Sequence, residues 1–224
     1  GYHLKANRFR ANFNAYVTNW TDRTLSSFGT NDNGTPDDDQ DDFDITTLQR
    51  GITQFHTGAE LDVRYRAADW LTINGFISGG SWYYKGEAEV STYNADTNEQ
   101  LGETSFVNRE GIKVSTAPQF TTGIGFDAKV VKGLSVDARI KYNDNHYEFT
   151  DENTEKADYE GLQLDSYALT NAGITYRFNL GDNKMTFRAN MYNVFDKVAI
   201  QQSDRFGFYT TGGRTFNASM RYEF

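Results

Sequence analysis

The sequence predicts an all-β fold, an antiparallel β-barrel that crosses a membrane with its strands. Three features predict it. Stretch after stretch alternates apolar and polar residues with the period of two that a pleated strand requires. Short and long connections between these stretches follow each other in strict order. Aromatic residues on the apolar faces collect at the end where the short connections lie.

About eight strand patterns follow one another along the chain. In 8–20, Phe9, Ala11, Phe13, Ala15 and Val17 alternate with Arg8, Arg10, Asn12, Asn14 and Thr18. In 54–67, Phe55, Ala59, Leu61, Val63 and Tyr65 oppose Gln54, His56, Glu60, Asp62, Arg64 and Arg66. The third, 70–84, sets Leu71, Ile73 and Ile77 against Thr72, Asn74 and Ser78. The fourth, 119–130, sets Ile124, Phe126, Ala128 and Val130 against Gln119, Thr121, Asp127 and Lys129. In 134–146, Leu134, Val136, Ala138, Ile140 and Tyr142 oppose Ser135, Asp137, Arg139, Lys141 and Asn143. The sixth and seventh, 165–179 and 185–195, behave alike. The eighth closes the chain, with Phe216, Ala218, Met220, Tyr222 and Phe224 on one face and Asn217, Ser219, Arg221 and Glu223 on the other. Helical spacing explains none of these segments.

The connections at 67–70, 131–133 and 180–184 are short, and those at roughly 21–50, 86–117, 147–163 and 197–213 are long and polar. Their alternation places every long loop at one end of the strands, the asymmetry of a bacterial outer-membrane barrel. Alternation alone leaves open a soluble, lipocalin-like binding barrel with its apolar face inward. The membrane reading is preferred because Tyr65, Trp70, Tyr176, Phe178, Tyr222 and Phe224 share one level at the short-turn end, as an interfacial aromatic girdle does.

Composition narrows the function. Mean hydropathy is -0.70, and no apolar run approaches the length of a membrane helix. A barrel tolerates such polarity because only every second residue meets lipid. The chain holds 2 prolines, 17 Phe, 14 Tyr and 3 Trp, which suits a protein made of paired strands. A net charge of -9 argues against nucleic acid as a partner. There is no cysteine, so disulfides, thiolate metal sites and thiol nucleophiles are excluded. No signal peptide opens the chain, and Gly1-Tyr-His-Leu-Lys-Ala6 reads as the inside of a strand. Residues 1–224 are therefore expected to be a piece of a longer protein.

The residues also resemble a known family. Asn193-Val-Phe-Asp-Lys197, followed by Gly213-Arg-Thr-Phe216 and a terminal Arg-Tyr-Glu-Phe224, is similar to the C-terminal signature of TonB-dependent outer-membrane receptors. Asn12-Phe-Asn-Ala-Tyr16 with Trp20 and Asp22, His56-Thr-Gly-Ala-Glu-Leu-Asp62 leading to Trp70-Leu-Thr-Ile-Asn-Gly75, and Ala117-Pro-Gln-Phe120 resemble further stretches of its barrels. The resemblance implies that 1–224 is the C-terminal part of a barrel of about twenty-two strands. It further implies an intact receptor that takes up a scarce nutrient such as a ferric siderophore, haem, cobalamin or glycan. Its expected partners are the lipid bilayer, that small-molecule ligand, a plug domain and an inner-membrane energy-coupling complex. A self-contained eight-stranded outer-membrane barrel with a structural or adhesive role is the alternative.

Several motifs invite chemistry. The acidic run Asp37–Asp44 lacks the ligand spacing of a calcium loop and reads better as a solvated surface loop. Gly123-Ile-Gly125-Phe-Asp-Ala128 mimics a dinucleotide fingerprint but sits inside a strand with no helix after it. The lumenal charges have mixed signs and fit ion pairs, water or plug contacts better than a substrate track. Candidate ligand contacts lie in the long loops: Trp82, Tyr84, Tyr93 and Arg109 around one, Arg205, Phe206, Phe208 and Tyr209 in the last. Amphipathic rings there suit a sugar or an aromatic chelate. No catalytic constellation, cofactor motif or metal-ligand set stands out, and His56 beside Glu60 reads as an interior polar pair.

Overall fold

The computed structural model describes residues 1–37, 39–149, 161–204 and 206–224, and every regular element among them is a strand. Eleven strands form one antiparallel sheet. Its through-path is β1 (Tyr2–Lys5), β2 (Phe9–Asn31), β3 (Phe43–Arg66), β4 (Leu71–Lys85), β7 (Phe120–Val131), β8 (Leu134–Asp144), β9 (Tyr167–Leu180), β10 (Asn183–Tyr192) and β13 (Thr215–Glu223). Strands β5 (Glu87–Asn94) and β6 (Gln100–Asn108) extend it beside the outer half of β3, while β11 (Ile200–Asp204) and β12 (Gly207–Thr210) pair with each other alone. The path ends at β1 and β13, which do not pair together, so the sheet is an open arc.

Register carries the apolar stripe from strand to strand. Leu61 lies opposite Phe13 and Ile77, Ile124 opposite Gly75 and Ile140, and Phe187 opposite Tyr176 and Met220. This face is bare: Val17 is 70% exposed, Ile124 60% and Met220 67%. The polar face is the concave one. A single hollow of about 670 Å³ touches His3 of β1, Arg64 of β3, Arg139 of β8 and Asn171 of β9, which requires the sheet to curl toward its charges. A soluble barrel buries its apolar face; this wall turns it outward.

Two glycines show how the concave face is packed. A Cβ at Gly123 would lie 2.5 Å from the Phe76 ring, and one at Gly125 2.5 Å from the Arg139 side chain. Each glycine is a pit covered by a long side chain from the next strand. The Gly123–Gly125 spacing therefore serves wall packing, in accord with its place inside β7.

The strands meet at tight turns on one end: 6–8, 67–70, 132–133 and 181–182. Gly133 and Gly181 take φ of 83° and 62° there, which the tight hairpins need and glycine allows. At the other end the expected loops 21–50 and 86–117 are largely strand, and most of the expected loop 147–163 lies outside the described residues. β2 and β3 are 23 and 24 residues long, where a membrane crossing takes about 9–11. All three neighbouring strands break at one level. Asp22 has φ 55° beside a register shift in β2, and Gly51 and Gly86 have φ 72° and 71°. There β3 exchanges its partner, from β4 at Thr53–Lys85 to β5 at Arg50–Glu89. Beyond the break the wall becomes a projecting arm of β2, β3, β5 and β6. Its alternation is weak in sequence because neither face meets lipid, although the backbone ladder continues.

The facing can be checked directly. Ala138 points outward between Phe126 and Ala172, and Arg139 points into the hollow. Ala138→Arg is expected to cost about 2–4 kcal/mol near the bilayer midplane, whereas Arg139→Ala leaves folding nearly unchanged. Urea titration of folding into lipid vesicles measures both, and equal tolerance would contradict the facing.

Candidate ligand-contact site at the loop-rich mouth

Just inside the break, the concave face carries a ladder of three rings. His56 is the cross-strand partner of Trp82, and Trp20 lies diagonally across β2. Trp20 and His56 stack with centroids 5.6 Å apart at 18°, and His56 and Trp82 at 5.5 Å and 22°. Tyr16 accepts a hydrogen bond from Trp82 Nε1 at 2.9 Å. Gln119 grips the Trp82 backbone from both sides, accepting from its N–H at 2.9 Å and donating to its carbonyl at 2.8 Å. The Arg23 guanidinium lies 5.1 Å over the Trp20 ring and donates to Gln54. His56 Nε2 is shielded from solvent and has no hydrogen-bond partner among the described residues. The result is a fixed, flat π surface edged by one cation, suited to planar or sugar-like ligands.

Two expected ligand contacts lie behind this surface instead. Tyr84 packs with Ile52, Ala88, Ile112 and Val114 in a small core against which Trp82 rests. Arg109, 3% exposed, covers the Tyr84 ring at 4.8 Å. The returning segment closes this core: Tyr84 donates to the Ile112 carbonyl at 2.9 Å and Val114 donates to that of Trp82 at 3.0 Å. Tyr84 and Arg109 thus brace the ladder from behind. Tyr93 sits half-buried in the arm, between Thr46 and Gln100. Tyr16, Trp20 and His56 were missed because only register brings them beside Trp82.

Phe206, Phe208 and Tyr209 form a second, separate patch on and beside the β11–β12 hairpin, with Phe206 79% exposed. Arg205 lies outside the described residues. Tyr209 Oη donates to Asp204 at 2.8 Å, and that carboxylate is the first cause holding the tyrosine pKa above its usual value. The base of this loop explains the Asn-Val-Phe-Asp-Lys motif. Asn193 Nδ2 donates to the Lys197 and Gly212 carbonyls at 2.9 and 2.8 Å, while its Oδ1 accepts from the Lys197 N–H at 2.9 Å. Asp196 accepts from the Arg214 N–H at 2.7 Å. The motif is a latch that ties both ends of the loop to the start of β13. His146, 1% exposed, meets the Ile200 carbonyl through Nε2 at 3.1 Å and Tyr167 edge-on, docking the β8–β9 excursion on the same loop.

At the tip between β2 and β3, Asp41 accepts from Thr35 at 2.7 Å and from Asn33 at 3.0 Å, and these bonds, Thr35 first, hold its carboxyl below the ordinary 3.8. Asp38 of the acidic run lies outside the described residues, and among those described no group of three or more His, Asp or Glu is set to hold a metal ion. At the turn end, Tyr65, Trp70, Tyr176, Tyr222 and Phe224 are exposed. Phe178 is half-buried and stacks on Tyr176 at 5.3 Å.

A wall that turns its apolar face outward and lines its hollow with charge is that of a membrane-spanning β-barrel. A family model described as "TonB dependent receptor-like, beta-barrel" matches residues 1–194, and the chain belongs to that family. No curated protein matches it. Among solved structures, the chain is similar to the open form of the ferric-catecholate import receptor Fiu from E. coli K12, with 13% identity, TM-score 0.41, and 97% of this chain and 39% of that chain covered. The closed form of Fiu gives 11% identity, TM-score 0.41, and 97% and 42% coverage. The chain thus spans about two fifths of those receptors, and at such values the likeness extends to neither ligand nor mechanism.

Two outcomes test this site. Asn193→Gly keeps the φ of 48° accessible but removes the latch, and is expected to destabilise the loop by about 1–3 kcal/mol. Amide exchange at Lys197 should quicken while the wall stays protected; unchanged exchange would show the latch to be idle. The lowered Asp41 pKa means its bonds hold fully above the ordinary 3.8 and are lost as pH falls through the lower folded value. Side-chain carbon shifts of Asp41 followed by NMR in an acid titration should therefore move at a lower pH than in the Thr35→Ala variant.

Proposed function

We propose that residues 1–224 form the C-terminal wall and part of the mouth of a bacterial outer-membrane receptor for energy-coupled uptake of a scarce nutrient. Ferric siderophores, haem, cobalamin and glycans are the ligands to try. Family membership over residues 1–194 supports the class. The observation that carries the ligand-contact reading is the Trp20–His56–Trp82 ladder, a rigid π surface on the solute side of the wall at its loop-rich end. Its chemistry is binding and passage, not bond-making. The outward aromatics at the turn end would sit at the lipid headgroups as a girdle. The plug and the inner-membrane energy-coupling complex would act through parts of the intact protein other than this wall.

The test is uptake by cells carrying the intact receptor, with labelled ligands of each kind and with the proton gradient intact or collapsed. One ligand should enter in a gradient-dependent way. Trp20 is half exposed and outside the small core, so Trp20→Ala should leave folding intact and weaken binding about tenfold or more. Absence of gradient-dependent uptake for the whole panel would overturn the transport reading, and wild-type affinity in Trp20→Ala would remove the ladder from it.

A further inference from the structure

On the outward face, where the wall leaves the bilayer, two lysines stand over two aromatic rings. Phe55 of β3 and Tyr83 of β4 are cross-strand partners that alternate with His56 and Trp82, so they point to the lipid side. Their ring centroids lie 5.4 Å apart at 49°. Lys85, next on that face of β4, holds its ammonium 5.2 Å from the centre of the Phe55 ring. Lys113 pairs with Tyr83 from the returning segment and holds its ammonium 5.8 Å from the centre of the Tyr83 ring. The two lysines are thus diagonal neighbours, about 7–8 Å apart. Neither makes an ion pair or a side-chain hydrogen bond among the described residues. Glu110, on the same returning segment, accepts from the Gly86 N–H at 2.7 Å. β4 has a paired strand on each side, and this face looks away from the hollow, so neither a filled lumen nor a closed barrel would reach it.

We infer that this rim is a binding site for a membrane lipid with a phosphate headgroup. Its height fits that role. At about 3.3 Å per residue and a strand tilt of about 40°, Tyr83 stands about 33 Å above Trp70 along the bilayer normal. That crosses the hydrocarbon core of about 30 Å and puts both rings at its outer boundary. Lys85 lies about 5 Å higher, in the headgroup layer, and Gly86 then begins the bend into the arm. Rings at such a boundary pack against the tops of acyl chains, while lysine stems lie along them and lift their ammoniums to the phosphates. The ring contacts hold both ammoniums in place before a lipid arrives, so little freedom is lost on binding. Two ammoniums so close favour a doubly charged phosphate monoester over a zwitterionic headgroup, whose own cation they repel. The inference rests on the outward facing of this surface and goes beyond the uptake reading.

The test uses the intact receptor in a neutral detergent, titrated with short-chain phosphatidic acid while native mass spectrometry counts the bound lipid. One lipid should bind saturably, at least about tenfold tighter than phosphatidylcholine of the same chain length, and less tightly as salt is raised. The Lys85→Gln, Lys113→Gln double variant should lose that preference. The Lys85→Arg, Lys113→Arg variant should keep it, which separates loss of charge from loss of fold. Lys141→Gln, on the hollow side of β8, should bind as the wild type does. Equal binding of the two lipids by the wild type, or an unchanged preference in the double glutamine variant, would overturn the site. Displacement of the lipid by an equal concentration of inorganic phosphate would also overturn it, by showing a site for free phosphate. Lipid binding is read without transport, so its failure and the failure of uptake are separate results.

Discussion

Everything in this wall depends on the continuous antiparallel ladder and the register it imposes. In hydrocarbon a backbone N–H or C=O has no water to turn to, so strands that cross lipid must pair along their whole crossing length. Pairing in turn locks the faces, because a slip of one residue exchanges them. Slipping β3 by one would put Arg64 into lipid and Leu61 into the hollow. The same register that keeps Leu61 against Phe13 and Ile77 also sets His56 against Trp82 and Arg10 against Arg64. Membrane embedding, the aromatic ladder and the arginine row are three consequences of one constraint.

The two ends of the wall answer different demands. At the turn end the chain needs only to reverse, and a few residues with glycine at positive φ suffice. At the mouth the ladder stops obeying the bilayer, and three strands bend together at Asp22, Gly51 and Gly86. The bend frees β3 to take β5 as a partner, which seats the return segment 109–114 over Tyr84. Trp82 is then held from behind by packing and from the side by Gln119 and Tyr16. A ring fixed so firmly loses little freedom when a ligand meets it, which favours binding.

What could be read from the sequence follows the same logic. The strand phases were legible because lipid and lumen impose opposite polarities on successive residues, as Leu134 to Asn143 show. The arm was not, because in residues 23–31 and 43–50 the apolar–polar alternation fades while the hydrogen-bond ladder persists. The short β1 lies where Gly1 to Ala6 read as the inside of a strand, whereas β5, β6, β11 and β12 occupy stretches that looked like loops. Trp82 was visible as an aromatic near a loop, but its partners Trp20 and His56 lie far off in sequence. The burial of Tyr84 and Arg109 depends on where 109–114 returns, which no local pattern encodes. The Asn193 motif was legible as a resemblance; its hydrogen bonds supply the reason for its residue types.

Net charge misleads about the local charge of this wall. With a sequence pI of about 4.8 the chain is acidic, and much of that acidity sits between β2 and β3, in the run from Asp32 to Asp44. From the break at Arg23 to the end of β2 at Asn31 the arm rises about 3.3 Å per residue, roughly 25 Å in all. That is several times the screening length of about 8 Å at physiological salt. The tip carboxylates therefore scarcely touch the potential in the hollow, which is set by Arg10, Arg64, Arg139 and Lys141 close at hand. The total charge still bears on long partners such as nucleic acid, which would lie across the acidic arm. Close to the hollow the local wall decides, and there the lining has more cations than carboxylates.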